Sequence, residues 1–242
     1  MNIQFVTSFN KDGYELYGKA MLESWKMYSD FPITVFVEGA IPNLVKSVII
    51  RYVPLDMRPI IKHINVENAL VKNDDYRFKV GRFARKVYAI TDEKANVYGA
   101  DWRIWLDADT LVKSAFSAHE FIEDVLIPAN LSSVAYLGRK NWHHSECGFV
   151  AYHMQRYAAD FLHYFRKCYE TMDYLGYSEW HDSFVFDELR YLFEDRSYMF
   201  YDLSCGLDLG DPKVKGNDAL HIWPHTVLGK YFEHKKGKLK IC

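Results

Sequence analysis

The beginning of the chain alternates between strand-like and helix-like hydrophobic patterns. Residues 3–8 alternate in character and are rich in β-forming side chains, which is typical of a strand. Apolar positions in residues 14–28 recur near helical spacing, and Pro32 ends this pattern just before a second strand at 33–37. A third strand-like run follows at 48–53. This order predicts a β-α-β opening, whose parallel strands would place ligand-binding loops at their carboxyl ends.

The same alternation continues through the rest of the chain. Residues 74–100 have a helical pattern with one apolar and one cationic face, and residues 103–106 read as a short buried strand. Further strands are predicted at 133–137, 148–152 and 220–223, and further helices at 156–174 and 182–193. The basic stretch 230–240 is predicted to be either a solvated tail or a flap over phosphates. The overall pattern indicates an α/β protein with a sheet flanked by helices.

Composition limits the class of protein. The chain has 242 residues, of which 49% are hydrophobic, and this suits one large domain spanning residues 1–242. A formal net charge of -2 provides no basic field to hold a phosphate backbone, so nucleic acid is not expected as the main partner.

Cysteine usage and the absence of an obvious targeting signal bear on location. The four cysteines are widely scattered and suggest neither a disulfide scaffold nor a zinc knuckle; they are Cys147, Cys168, Cys205 and Cys242. We find no secretory leader and no apolar run of roughly 20 residues that could cross a bilayer. These features predict a cytoplasmic protein and leave its oligomeric state open.

Two carboxylates follow the buried strand at 103–106. Asp107 and Asp109 are spaced i and i+2, so both can turn toward one cation where the strand breaks into a loop. Hard carboxylate oxygens suit Mn²⁺ or Mg²⁺, and such a cation can bridge a diphosphate and stabilise a departing nucleotide. An acidic surface turn is the alternative, but a buried strand disfavours idle carboxylates. We therefore interpret Asp107-Ala108-Asp109 as a metal and diphosphate site.

The chain resembles the GT-A-fold glycosyltransferases, including small phage-encoded ones. The resemblance is carried in order by Thr7-Ser8, Trp105-Leu106-Asp107-Ala108-Asp109, Ser145 to Val150, Trp180 to Ser183 and His225 to Tyr231. It implies a GT-A-like domain with a Rossmann-like mixed sheet, whose nucleotide-binding half spans residues 1–110 and whose acceptor-binding half and C-terminal flap span 111–242. It would also fit a virus-encoded protein that acts in the host cytosol.

The resemblance further implies an activity and a metal site. The expected reaction moves a sugar from a nucleotide-diphosphate donor, with a UDP-sugar favoured, to a hydroxyl of a glycan, protein or small molecule. In this fold the two aspartates bind the metal, and a histidine from a late strand or loop often completes the coordination. His221 and His225 match that position, although the family's HxxGxxKPW motif is only partly present. A neutral imidazole is also a chemically reasonable third ligand for Mn²⁺.

Candidate nucleotide-binding residues lie at predicted strand ends and on cationic surfaces. Strand ends in an α/β cleft favour contact with the nucleotide, and basic side chains one helical turn apart can point at one phosphate. The candidates are Thr7, Ser8, Phe9, Glu38, Arg82, Lys86 and, from the C-terminal flap, Lys230. A solvated basic face is the alternative for each cation, and Lys79 and Arg85 are expected to face solvent.

An acceptor hydroxyl must lose a proton, so an inverting enzyme needs a base opposite the leaving group. Asp182 is the first candidate because it follows an aromatic pair and precedes a helix, although it could instead cap that helix. Glu146 is the second candidate. In a retaining enzyme both would bind sugar instead.

Two other functions fit parts of the sequence. Asp107 could be the nucleophile of a haloacid-dehalogenase-type phosphatase, but Leu111 departs from that motif and more than 100 residues precede it. A non-catalytic carbohydrate-binding protein would suit the 17% aromatic content, whereas the paired carboxylates argue against it.

Overall fold

The computed structural model describes residues 1–72, 75–96, 99–139, 144–206 and 222–235. Three of the sequence-based predictions therefore lie wholly or partly outside the described residues: His221 as a metal ligand, the first half of the strand predicted at 220–223, and the end of the basic stretch 230–240.

Nine strands in the described residues form one mixed sheet and one small ribbon. Their bounds are β1 Ile3–Asn10, β2 Ile33–Glu38, β3 Ile50–Pro54, β4 Trp102–Leu106, β5 Thr110–Val112, β6 Val134–Leu137, β7 Glu146–His153, β8 Phe200–Asp202 and β9 Phe232–His234. The sheet has the order β3-β2-β1-β4-β7-β6-β8. The first four strands in this order are parallel, and β7 joins β4 antiparallel. The predicted mixed α/β sheet is confirmed, with strand ends shifted by a few residues.

Helices connect and cover these strands. Their bounds are α1 Lys11–Gly13, α2 Lys19–Tyr28, α3 Arg58–Leu70, α4 Val80–Thr91, α5 Ala118–Phe121, α6 Ala158–Glu170, α7 Asp182–Glu194 and α8 Leu228–Tyr231. A wider helical turn, Tyr14–Gly18, joins α1 to α2, so the helix predicted at 14–28 begins three residues earlier. Asn10 caps this run, since its side chain accepts a hydrogen bond from the Gly13 amide at 2.7 Å.

Each central strand buries side chains on both faces of the sheet. On β1, Phe5 packs into the cluster that includes α2, whereas its neighbour Val6 packs into the cluster that includes α4. Ile104 and Trp105 divide in the same way on β4. The period-two geometry of a strand produces this division, and it explains why the central strands read as nearly continuous apolar runs.

The ribbon joins two distant parts of the chain. Strands β5 and β9 pair antiparallel, with Thr110 opposite His234. The sequence prediction was wrong for residues 222 and 223, which form no strand, and the last strand of the described residues is β9. Trp223 instead begins a short turn, Trp223–His225, in which Pro224 takes an early helical position that tolerates its missing amide. Within the described residues, no helix combines the length and apolar character needed to span a bilayer.

Candidate active site

Strand β4 ends directly in the paired aspartates. The Asp107 amide donates to the Gly148 carbonyl on β7 at 2.8 Å, and the Thr110 amide donates back to the Asp107 carbonyl at 3.2 Å. The Asp107 carboxylate accepts a hydrogen bond from the Trp105 indole at 2.6 Å. Both the backbone and the side chain of Asp107 are therefore held by groups on the two central strands.

A histidine near the end of the described chain completes the site. His234 Nε2 lies 3.1 Å from Asp109 Oδ1 and 3.9 Å from Asp107 Oδ2, so the three side chains offer ligand atoms to one point. The ribbon places it there, since His234 is paired with Thr110 and the Lys235 amide donates to the Asp109 carbonyl at 2.9 Å.

Sequence analysis missed His234 and favoured two other histidines. His225 is exposed in the turn before α8 and is not part of this group. The available signal was the alternation in β9, where Phe232 and His234 are buried on either side of the exposed Glu233. That pattern predicts a strand with an inward-facing histidine, but it does not predict the strand's partner.

The electrostatics of this group favour a bound cation. Burial raises the pKa of Asp107, and the charge of Asp109 adds to this rise while Lys86 opposes it. Burial alone lowers the pKa of His234, but the hydrogen bond with Asp109 and the charge of Glu146 outweigh it, so this pKa lies above its usual value. Two carboxylates held this close to one imidazole suit a divalent oxygen- and nitrogen-binding metal such as Mn²⁺.

The Lys86 ammonium is surrounded by oxygen atoms of the protein itself. The residue is 8% exposed, and its Nζ lies 2.7 Å from Asp182 Oδ2, 3.6 Å from Asp107 Oδ1 and in contact with the Cys147 carbonyl. Burial opposes its charge, but Asp107 and Asp182 outweigh burial and raise the pKa of Lys86. The sequence suggested a cation aimed at phosphate, whereas the structure shows a lysine that neutralises two carboxylates in the cleft wall.

A cleft of about 410 Å³ opens beside these groups. The predicted site residues that line it are Ser8, Phe9, Glu38, Arg82, Lys86, Asp107, Asp109 and Asp182. Thr7 is fully buried within β1 and does not line the cleft. Lys230 is also elsewhere, because its ammonium pairs with Glu120 at 2.6 Å and Asp124 at 2.7 Å.

Two arginines of α4 reach the cleft in different ways. Arg85, which was expected to face solvent, pairs with Glu38 at 2.8 Å. Arg82 is exposed, and its guanidinium lies over the Phe83 ring at 6.0 Å. Arg82 therefore keeps its charge available at the cleft mouth, whereas Arg85 fixes the carboxylate at the end of β2.

The two candidate bases occupy different environments. Asp182 is the first residue of α7 and faces the cleft, and the helix cap is His181, whose Nδ1 accepts from the Phe184 amide at 3.3 Å. Glu146 is buried outside the cleft lining, where it contacts Arg139 and accepts from the Gly148 amide at 3.1 Å. Geometry therefore places Asp182 on the cleft and Glu146 outside it, near His234.

The strand order, the helices on both faces and the carboxylates at the end of β4 define the GT-A fold of glycosyltransferases. Among solved structures, mouse xyloside xylosyltransferase 1 in its apo form superposes with a TM-score of 0.52 over 85% of this chain and 86% of that chain. The two sequences are 11% identical, so the likeness shows a shared fold. No family model matches the sequence, and no curated protein does.

Proposed function

We propose that the protein is a metal-dependent glycosyltransferase that moves a sugar from a nucleotide-diphosphate donor to a hydroxyl acceptor, with a UDP-sugar as the favoured donor. The observation that carries this proposal is the convergence of Asp107, Asp109 and His234, of which the two aspartates line the cleft. The fold adds support, since ligands of open α/β sheets bind at the carboxyl ends of strands and this group follows β4.

Asp107, Asp109 and His234 would hold the cation, and Mn²⁺ or Mg²⁺ suits their oxygen-rich donor set. The cation supplies positive charge for the diphosphate as the nucleotide departs. Trp105 contributes by fixing the orientation of Asp107, and Lys86 limits the negative charge of the group before donor binding.

The nucleotide would occupy the part of the cleft between β1, β2 and α4. Ser8 and Phe9 line it at the end of β1, and Glu38 lines it at the end of β2, held in place by Arg85. The guanidinium of Arg82 lies at the cleft mouth, where it can reach a phosphate oxygen. In this proposal residues 1–110 bind the donor, whereas residues 111–242 contribute the acceptor side and the C-terminal ribbon.

Asp182 would act on the sugar side of the cleft. Its carboxylate is fixed by Lys86, so its orientation does not depend on substrate. In an inverting reaction it would accept the proton of the acceptor hydroxyl, and in a retaining reaction it would bind a sugar hydroxyl. Glu146 is proposed to support the metal-binding group through Gly148 and His234 rather than to contact substrate.

A thermal-shift screen of UDP-, GDP- and dTDP-sugars with and without Mn²⁺ tests the proposal. We expect a metal-dependent rise in Tm with a nucleotide sugar, because ligands that bind only the native state stabilise it. Slow donor hydrolysis that a chelator abolishes would accompany it and would exclude a non-catalytic binding protein. The proposal fails if no nucleotide stabilises the protein in a metal-dependent way. A phospho-aspartate on Asp107 would instead establish the phosphatase alternative.

Two variants separate the proposed metal-binding role of Asp109 from the proposed role of Asp182 in turnover. Asp109→Asn is expected to lose the metal-dependent shift, whereas Asp182→Asn is expected to keep it and lose only turnover. Loss of the shift in the Asp182 variant would contradict this division.

A further inference from the structure

A second group of metal-ligating side chains lies beside the cleft, on loops that the proposed reaction does not use. His144, Glu179 and His181 offer ligand atoms that all lie within 4.8 Å of one another. His181 Nε2 is 2.7 Å from Glu179 Oε2, and His144 Nε2 is 3.9 Å from the same oxygen. Two imidazoles and one carboxylate thus face a common point.

The donor set differs from that of the paired aspartates. It has two nitrogens and one oxygen, a composition found in protein zinc sites, and three protein ligands leave a fourth position for water. Oxygen-rich groups instead suit Mg²⁺ or Mn²⁺. The chemistry of this group therefore favours a borderline cation over a hard one.

The surroundings of His144 resemble those of a metal-binding histidine. Its Nδ1 lies 3.7 Å from Asp187 Oδ2, so the ring presents Nε2 toward Glu179. Asp187 is itself held by the Ser145 amide at 2.7 Å, the Ser145 hydroxyl at 2.5 Å and Arg190 Nε at 3.1 Å. A buried carboxylate behind the second ring nitrogen is the usual outer-shell partner of a metal-binding histidine, because it fixes the tautomer and the ring orientation.

We infer that His144, Glu179 and His181 form a Zn²⁺ site that is separate from the Asp107 group. The ion would replace the 2.7 Å hydrogen bond between His181 and Glu179 and would tie the segment before α7 to His144. Binding has one local cost. His181 Nδ1 now accepts from the Phe184 amide, and it would carry a proton once Nε2 binds the metal, so this 3.3 Å capping bond would be lost.

The test uses the full chain with the Asp107 group silenced by Asp109→Asn, so that any tight zinc belongs elsewhere. Metal-stripped protein is dialysed against buffered Zn²⁺, and bound zinc is counted by elemental mass spectrometry. We expect one zinc per chain and a zinc-dependent rise in Tm.

Two further substitutions in this background locate the ion. His144→Gln removes one ligand, and His181→Asn removes another while keeping a side chain that caps helices well. Each should weaken zinc binding at least tenfold, since even outer-shell changes cost about 10–100-fold in affinity. The exposed His163 on α6 provides the matched control, because His163→Gln should leave zinc binding unchanged.

Two results would overturn the inference: the Asp109→Asn protein binds no tight zinc, or it binds zinc equally well with and without His144. Neither result bears on the Mn²⁺-dependent nucleotide shift of the wild-type protein, so failure of the zinc site and failure of the proposed transferase remain distinguishable.

Discussion

The two sides of the cleft both contain acidic groups, which are buried on one side and half-buried on the other, and they balance charge differently. On the helix side, Asp182 has the Lys86 ammonium at 2.7 Å. On the strand side, Asp107 and Asp109 together face one imidazole, and the same lysine reaches Asp107 only at 3.6 Å. The helix side is thus neutralised from within the protein, whereas the negative charge of the strand side would be balanced by a bound cation. This difference predicts that removing the Lys86 ammonium affects mainly folding, whereas removing a carboxylate of the strand side affects mainly binding.

The largest expected effect is on stability, from Lys86→Met. The substitution leaves the buried Asp182 carboxylate without its ammonium, and breaking a buried pair in this way costs about 3–5 kcal/mol. Chemical denaturation would measure the free energy of unfolding. The double variant Lys86→Met/Asp182→Asn should recover much of this loss, because it also removes the unpaired charge of the Asp182 carboxylate. An unchanged free energy of unfolding in the single variant would show that Lys86 does not stabilise the fold by neutralising Asp182.

Asp109→Asn should have the largest effect on function with little effect on folding. Loss of a metal ligand removes several kcal/mol of charge stabilisation, which corresponds to a roughly 100- to 1000-fold drop in metal-dependent donor turnover. Hydrolysis of the donor identified by the thermal-shift screen would be measured, with the denaturation midpoint as the control. A variant that unfolds more easily than Lys86→Met would contradict the assignment of Asp109 to binding.

Gly148→Ala tests how closely the strand side is packed. A Cβ at this position would lie 3.0 Å from Glu146 Oε1, 3.1 Å from His234 Cε1 and 3.2 Å from Trp223 Cζ2. Overpacking of this kind costs about 1–3 kcal/mol, and it would also displace His234 from Asp109. We expect lower stability together with weaker Mn²⁺ binding by calorimetry. Ala151, three residues further along β7, offers a control through Ala151→Gly, which should lower stability without weakening Mn²⁺ binding.

Trp105→Phe should have the smallest effect. Phenylalanine keeps a ring near the Lys86 ammonium, which lies 5.2 Å from the Trp105 ring centroid, but it lacks the N–H that holds Asp107. Hydrogen bonds to charged groups contribute about 1.5 kcal/mol at the low end, which corresponds to a roughly tenfold fall in Mn²⁺ affinity. Calorimetric titration in the presence of UDP would measure it. Unchanged affinity would show that the backbone bonds of Asp107 suffice.

Sequence reasoning recovered the features that depend on local pattern. The strands from β1 to β4 follow from period-two and apolar runs, and the position of Asp107 and Asp109 follows from the strand before them. The α/β class was predicted on this basis, whereas the GT-A fold with its mixed sheet was predicted from the resemblance to GT-A-fold glycosyltransferases. Both predictions are confirmed by the structure and its likeness to the mouse enzyme.

What sequence reasoning missed depends on contacts between distant segments. His234 meets Asp109 only because β9 pairs with β5, and no local pattern specifies that pairing. Lys86 lies in a helix whose other cations made it look like part of a basic face, whereas the approach of α7 and β7 buries it. Similarly, His181 rather than Asp182 caps α7, and this follows from the backbone angles at one residue.

The ribbon between β5 and β9 also bears on how the protein matures. Asp109 and His234 are 125 residues apart in sequence, and the strand that contains His234 lies close to the end of the described chain. All seven strands of the sheet precede His234 in sequence, so a growing polypeptide can assemble the sheet before His234 has left the ribosome. A product shortened before Phe232 would keep the seven-stranded sheet but lack the histidine that lies beside Asp109.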